Sequence, residues 1–157
     1  MVLKEGNKSF DFTLKDKDGK LHKLSDIKSN YVVVYFYPKD STPGCTIEAN
    51  EFTELITDFK KLNAEIIGIS GGDEKSKIKF CDKHNLKITL LSDPNFEISK
   101  KYEVYGGKSF LGKKFLGINR TTFVLDKNKK IIRVYENVKA QGHAEEVLEF
   151  VENLNWY

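Results

Sequence analysis

The chain has 157 residues, 39% hydrophobic and 31% charged, with 26 lysines and arginines against 23 acids for a net charge of +3. That length makes one ordinary domain, able to bury roughly 68–70% of its unfolded surface without metal or disulfide staples, and the composition excludes a disordered chain. The small cationic excess is interleaved with acids, as around Lys127-Asn128-Lys129-Lys130, which reads as a solvated surface and argues against a nucleic-acid partner.

In chain order, Phe10 to Leu14, the polar stretch Lys15 to Lys20 and Leu21 to Leu24 predict a strand, a tight turn and a second short strand, an N-terminal β-hairpin. Tyr31 to Tyr37 is a continuous apolar run, the mark of a central strand covered on both faces. From Pro43 the period changes to that of a helix. Cys45, Ala49, Phe52, Ile56 and Phe59 share one face, so a single helix is expected there, with Cys45 turned inward.

Glu65 to Ser70 is the next buried strand, parallel to the first, and Asp73 caps a helix running to about His84. Ile88 to Leu91 follows as a strand, and Asp93-Pro94 predicts the opening of a short helix to Tyr102. A glycine-dotted stretch from Gly106 to Gly117 follows, with no element assigned to it. Thr121 to Leu125 and Ile131 to Glu136 form a hairpin, and His143 to Asn153 an amphipathic helix. The order βαβ, further α and β, then ββα predicts an α/β fold of residues 1–157 as a single domain, with a mixed central sheet and helices on both faces.

The chemistry gathers at Pro38-Lys39-Asp40-Ser41-Thr42-Pro43-Gly44-Cys45, which holds one of two cysteines and two of three prolines. With Thr42 as helix cap and Pro43 as first helical residue, Cys45 falls in the first turn. Unpaired backbone N–H groups and the helix dipole favour an anion there. A thiolate at a helix start is one reading of Cys45; a small core residue is the other, because free cysteine is among the most buried residue types. Arg120 is one of only two arginines. A guanidinium keeps its charge when partly buried and offers a fork of donors, although a surface arginine before a strand remains open.

The pattern Pro38-x-x-x-Thr42-x-x-Cys45 after a buried strand resembles the active-site signature of the peroxiredoxins, thiol peroxidases that work without metal or haem. The run from Tyr35 to Thr46, Leu91-Ser92-Asp93-Pro94 and Gly117 to Asp126 resemble the peroxiredoxin Q or bacterioferritin comigratory protein subgroup over nearly the whole chain. The resemblance implies a thioredoxin-like fold and no cofactor. It also implies Cys45 as peroxidatic cysteine, Thr42 and Arg120 completing the catalytic set, and Pro38, Pro43 and Gly44 shaping the pocket. Peroxides are the implied substrates and thioredoxin the reductant, for a monomer.

Physical chemistry assigns compatible roles. Thiolate attack on one peroxide oxygen leaves negative charge on the other, so donors must face both oxygens, and Thr42, the Cys45 N–H and Arg120 can supply them. Lowering a thiol pKa from ~8.5 to ~6 raises its thiolate fraction roughly thirtyfold, but the accompanying loss of nucleophilicity leaves only about threefold. Donor placement must supply the rest.

The sulfenic acid so formed needs a second thiol. Some subgroup members carry it five residues after the peroxidatic cysteine; here that residue is Asn50. The other subgroup arrangement, a resolving cysteine in the next helix, falls on Cys81. The alternatives are a core cysteine packed beside Ile78 with resolution by an external thiol, or a non-catalytic redox sensor on the same fold. His22, His84 and His143 lack ligand spacing and read as solvated, no Cys-x-x-Cys supports a disulfide reductase, and the glycines form no dinucleotide fingerprint. The N-terminus lacks a signal-peptide core and no window nears 18 apolar residues, so a cytoplasmic protein without a membrane span is expected.

Overall fold

The computed structural model describes residues 3–154. Its seven-stranded sheet runs in the order β2-β1-β5-β4-β3-β8-β9, where β1 is Thr13–Lys15, β2 Leu21–Lys23, β3 Tyr31–Phe36, β4 Ala64–Ser70, β5 Thr89–Ser92, β8 Thr121–Leu125 and β9 Ile131–Tyr135. β3, β4 and β5 are mutually parallel neighbours, flanked by antiparallel β1 and β8. The N-terminal hairpin and the mixed sheet agree with the sequence reading.

Alternation along the strands divides the core in two. Val33 and Tyr35 of β3 point into a cluster with Cys45, Ala49, Phe52, Phe59, Phe80 and Val147, beneath α1 (Pro43–Glu54), α2 (Ile56–Lys61), α3 (Glu74–His84) and α5 (His143–Leu154). Val32, Val34 and Phe36 point the other way, into a cluster with Phe12, Leu91, Tyr102 and Ile98 of the short α4 (Glu97–Lys101). Helices thus lie on both faces, but unequally. Burial of β3 is nearly complete, as expected of an apolar strand flanked on both sides.

Three expected boundaries are corrected. The helix from Pro43 to Phe59 is two, because Leu55, at φ −96° and ψ 5°, ends α1 and starts α2 while the buried face continues to Phe59. Asp93-Pro94 does not open α4. The Asp93 carboxylate is buried and accepts from the Ser99 N–H and hydroxyl at 2.9 and 2.8 Å, organising the turn four residues ahead of the helix. The glycine-rich stretch is a separate hairpin, β6 (Tyr105–Phe110) and β7 (Lys113–Ile118), closed by Leu111 and Gly112 at φ +50° and +79°. Both turn residues being left-handed is the geometry of a tight two-residue hairpin, and it conceals the strand signal in a run of glycines.

Candidate active site

Parallel strands β3 and β4 deliver their carboxyl ends to one edge of the sheet, the usual place for a site in an α/β fold. Beyond β3 the chain passes through Pro38, Asp40 and Ser41, the last in the left-handed region at φ 65°, to extended Thr42 at the N-cap of α1. Pro43 takes the first helical position. Its missing N–H had no helical partner, so nothing is lost.

Thr42 occupies the cap position, yet its hydroxyl does not cap. It donates to the Lys39 carbonyl at 2.9 Å, while the Thr42 carbonyl accepts from the Thr46 hydroxyl at 2.8 Å. The first-turn N–H groups, out of reach of any helical carbonyl, therefore have no side-chain cap. The end of the helix is left as an anion-binding surface at Cys45.

Strand pairing brings Arg120 to that point. β8 runs antiparallel to β3 with Thr121 opposite Phe36, so Arg120, one residue earlier, lies level with the loop leaving β3. Its Nη2 donates to Cys45 Sγ at 3.4 Å and its Nη1 to Glu48 Oε1 at 2.6 Å. Gly44 makes room: a Cβ there would stand 3.0 Å from Nη2. The Cys45 residue is 1% exposed, so the sulfur faces the guanidinium from within the protein.

Glu48 was not singled out from the sequence. It lies one turn after Cys45 on the same apolar face, where an acid is out of place; that spacing was the available signal. Its carboxyl is wholly buried, and Oε2 has no hydrogen-bond partner among the described residues. Burial pushes its pKa up, against the pull of Arg120, to about 7. Burial works against the Arg120 cation, but Glu48 and the Cys45 sulfur outweigh it and raise the guanidinium further. Beneath them the buried Tyr35 hydroxyl also has no hydrogen-bond partner among the described residues. Burial, then the charges of Glu48 and Cys45, raise its pKa well above the ordinary phenol value.

A second polar cluster adjoins the same loop from the β4 side. Lys77 of α3, with no exposed surface, donates to both oxygens of Asp40 at 3.3 and 3.2 Å and to Ser70 Oγ at 2.8 Å. The Asp40 carboxylate also accepts from Tyr37 OH at 2.5 Å and Ser76 Oγ at 2.7 Å. Sequence reading missed this pair. A lysine in a helix that also carries Lys75, Lys79 and Lys83 looks like any solvated charge.

Cys81 is buried in the same cluster as Cys45, and both are free thiols. Burial raises the Cys81 pKa against the attraction of Lys17 and Lys77. The expected contact face with Ile78 is corrected, because Ile78 is 40% exposed and the buried face is Lys77, Phe80 and Cys81. Cys81 also lines a cavity of about 160 Å³ with Ile88, Thr89 and Leu90, at the start of β5. Cys45 lies beyond the last residue of β3. The two thiols thus lie in one core layer but on separate helices, α1 and α3.

The reading of three solvated histidines is also corrected. His143 is 3% exposed, with Nε2 2.8 Å from Thr122 Oγ1 and Nδ1 3.0 Å from Glu146 Oε1. Burial lowers its pKa against the pull of Glu146. His22 is half-buried against Asp16 at 2.7 Å.

The AhpC/TSA family matches residues 6–134. Peroxiredoxin Bcp of Bacillus subtilis is 39% identical over 155 residues, covering 99% of both chains. The chain belongs to the peroxiredoxins. Among solved structures, the bacterioferritin comigratory protein of Xanthomonas campestris aligns with a TM-score of 0.85 at 34% identity over 90% of both chains. Two cysteine-to-serine variants of peroxiredoxin Q from the same organism do so with 0.85 and 35% over 90% of both chains. The fold is the thioredoxin-like one of these peroxiredoxins, and the protein is a thiol-dependent peroxidase.

Proposed function

We propose that Cys45 is the peroxidatic cysteine of this peroxiredoxin and that Arg120 and Thr42 bind and polarise the peroxide. The observation that carries the reading is the Arg120 guanidinium 3.4 Å from Cys45 Sγ at an uncapped helix N-terminus. The Cys45 thiolate attacks one peroxide oxygen, the S–O bond forms as O–O breaks, and the leaving oxygen departs as water or alcohol after taking a proton. Arg120 and the Cys45 N–H face the developing charge. Thr42 joins them by swinging its hydroxyl away from Lys39. Glu48, bound to the second guanidinium nitrogen, is a positioning residue for Arg120. Pro38, Pro43 and Gly44 shape the pocket.

Substrates are hydrogen peroxide and organic hydroperoxides; the Xanthomonas campestris protein is described by its alkyl peroxide reduction activity. Cys81 resolves the sulfenic acid as an intramolecular disulfide, and thioredoxin recycles it. Support comes from spacing: the cysteines substituted in the two Xanthomonas campestris variants lie 36 residues apart, as do Cys45 and Cys81. The two thiols are unbonded and lie on separate helices, and α1 or α3 shifts or partly unwinds to bring them within disulfide reach. The protein acts as a single-domain monomer in the cytoplasm; no helix among the described residues is long and apolar enough to cross a membrane.

Peroxide consumption with a thioredoxin system, compared across wild type, Cys45→Ser and Cys81→Ser, tests the assignment. Cys45→Ser should lose at least about a thousandfold of the turnover, and wild-type turnover retained by it would overturn Cys45. Cys81→Ser should lose thioredoxin-linked turnover while still forming one sulfenic acid per chain. Full thioredoxin-linked activity in Cys81→Ser would instead assign resolution to an external thiol.

A further inference from the structure

Asp40 and Lys77 join the two parts of the molecule that carry the cysteines. Asp40 lies in the loop that leads into Cys45, five residues ahead of it, and Lys77 lies one turn before Cys81 on the buried face of α3. Every strong contact of the pair stays within this junction. The Asp40 carboxylate accepts from Tyr37, Ser70, Ser76 and Lys77, with Ser70 at 3.4 Å. The Lys77 ammonium uses its donors on Asp40 and Ser70, and its charge also stands 5.5 Å from the Tyr37 ring centroid.

The backbone is fitted to the carboxylate as well. A Cβ on Gly72, in the turn before α3, would come within 2.1 Å of Asp40 Oδ2. Only glycine lets the turn close over the buried charge.

We propose that the buried Asp40–Lys77 pair is a latch between the Cys45 loop and α3 that restrains formation of the Cys45–Cys81 disulfide. The inference rests on Cys81 being the resolving cysteine. In that step the Cys81 thiolate attacks Cys45 Sγ of the sulfenic acid. The S–S bond forms, the S–O bond breaks, and hydroxide leaves to become water with the thiol's proton. Both thiols are free and lie on separate helices, so the loop and α3 move relative to one another as the sulfurs meet, and that movement pulls on Asp40 and Lys77 directly.

Removing one partner changes the balance in a defined direction. With Lys77 gone, the Asp40 carboxylate is left buried without its cationic partner in the closed form, while in the opened form it is solvated. Opening is favoured. Removing both charges leaves no buried ion to expel, so the double variant returns toward wild type, which general loosening of the fold would not do.

The test follows disulfide formation after a single addition of hydrogen peroxide, by quenched-flow trapping and mass spectrometry. Lys77→Met should speed Cys45–Cys81 bond formation by at least about tenfold, and the double variant Asp40→Asn, Lys77→Met should recover most of the difference. Ser76→Ala, which removes one hydrogen bond and keeps the charges, should speed it by about threefold and guards against a Lys77→Met that does not fold. In both faster variants, more peroxide is needed to convert Cys45 to sulfinic acid, because resolution outruns the second oxidation. Unchanged or slower disulfide formation in Ser76→Ala and Lys77→Met, with a normal disulfide in wild type, overturns the latch alone. No Cys45–Cys81 disulfide in wild type overturns the resolving role and the latch together.

Discussion

Two buried cation–carboxylate pairs stand on either side of the loop from Pro38 to Cys45, and they are built differently. Asp40 and Lys77 are saturated: four groups donate to the carboxylate and the ammonium has no exposed surface. Glu48 and Arg120 are not. One Glu48 oxygen has no partner among the described residues, and the Arg120 side chain is 15% exposed and spends its second guanidinium nitrogen on the Cys45 sulfur. A saturated pair can only hold elements together, whereas an unsaturated one keeps hydrogen-bonding capacity for a reacting molecule. The loop is thus anchored on the β4 side and reactive on the β8 side.

Substitutions that unbalance each pair sharpen this contrast. The largest effect is expected from Lys77→Met, which strands a buried carboxylate and should cost about 3–5 kcal/mol of folding stability in urea unfolding. The double variant with Asp40→Asn should recover much of that. A loss below about 0.5 kcal/mol, the level of an ordinary surface substitution, would show that the pair is not closed to water.

Glu48→Gln probes the other pair through pH. The Glu48 carboxyl titrates near 7 in the fold against an ordinary value of 4.5, so the unfolded chain releases its proton first. Its contribution to stability is present when protonated and is lost as pH rises from about 4.5 to about 7, by about 3 kcal/mol over that window. Glu48→Gln removes that slope. His143 acts with the opposite sign, its lowered pKa adding stability as pH rises, but it is common to both proteins and cancels in the comparison. Parallel stability profiles for wild type and Glu48→Gln between pH 4.5 and 7.5 would mean that Glu48 stays ionised in the fold.

The comparison also explains what could be read in the chain beforehand. Strand and helix order was legible because β3 and β4 are apolar runs and α1 carries its face at helical spacing. Cys45, Thr42 and Arg120 stood out through a motif and through the scarcity of arginine. Glu48, Asp40 and Lys77 did not, because acids and lysines default to solvent and only pairing across the fold buries them. The positions carried faint signs: Glu48 shares the face of Cys45 and Phe52, and Lys77 shares that of Phe80 and Cys81. His143 was misread for the same reason, since its partner Thr122 lies 21 residues away on β8. The β6–β7 hairpin was hidden by glycines whose freedom its turn requires.

The arrangement of Arg120 between Cys45 and Glu48 is tested most directly by the second-order rate of Cys45 oxidation in Arg120→Lys, measured in single turnover by mass spectrometry. A lysine keeps the charge but cannot bridge sulfur and carboxylate with a planar fork. The rate should fall at least about tenfold, about 1.4 kcal/mol in the barrier. A rate within about twofold of wild type would show that the guanidinium does not face the peroxide in the transition state.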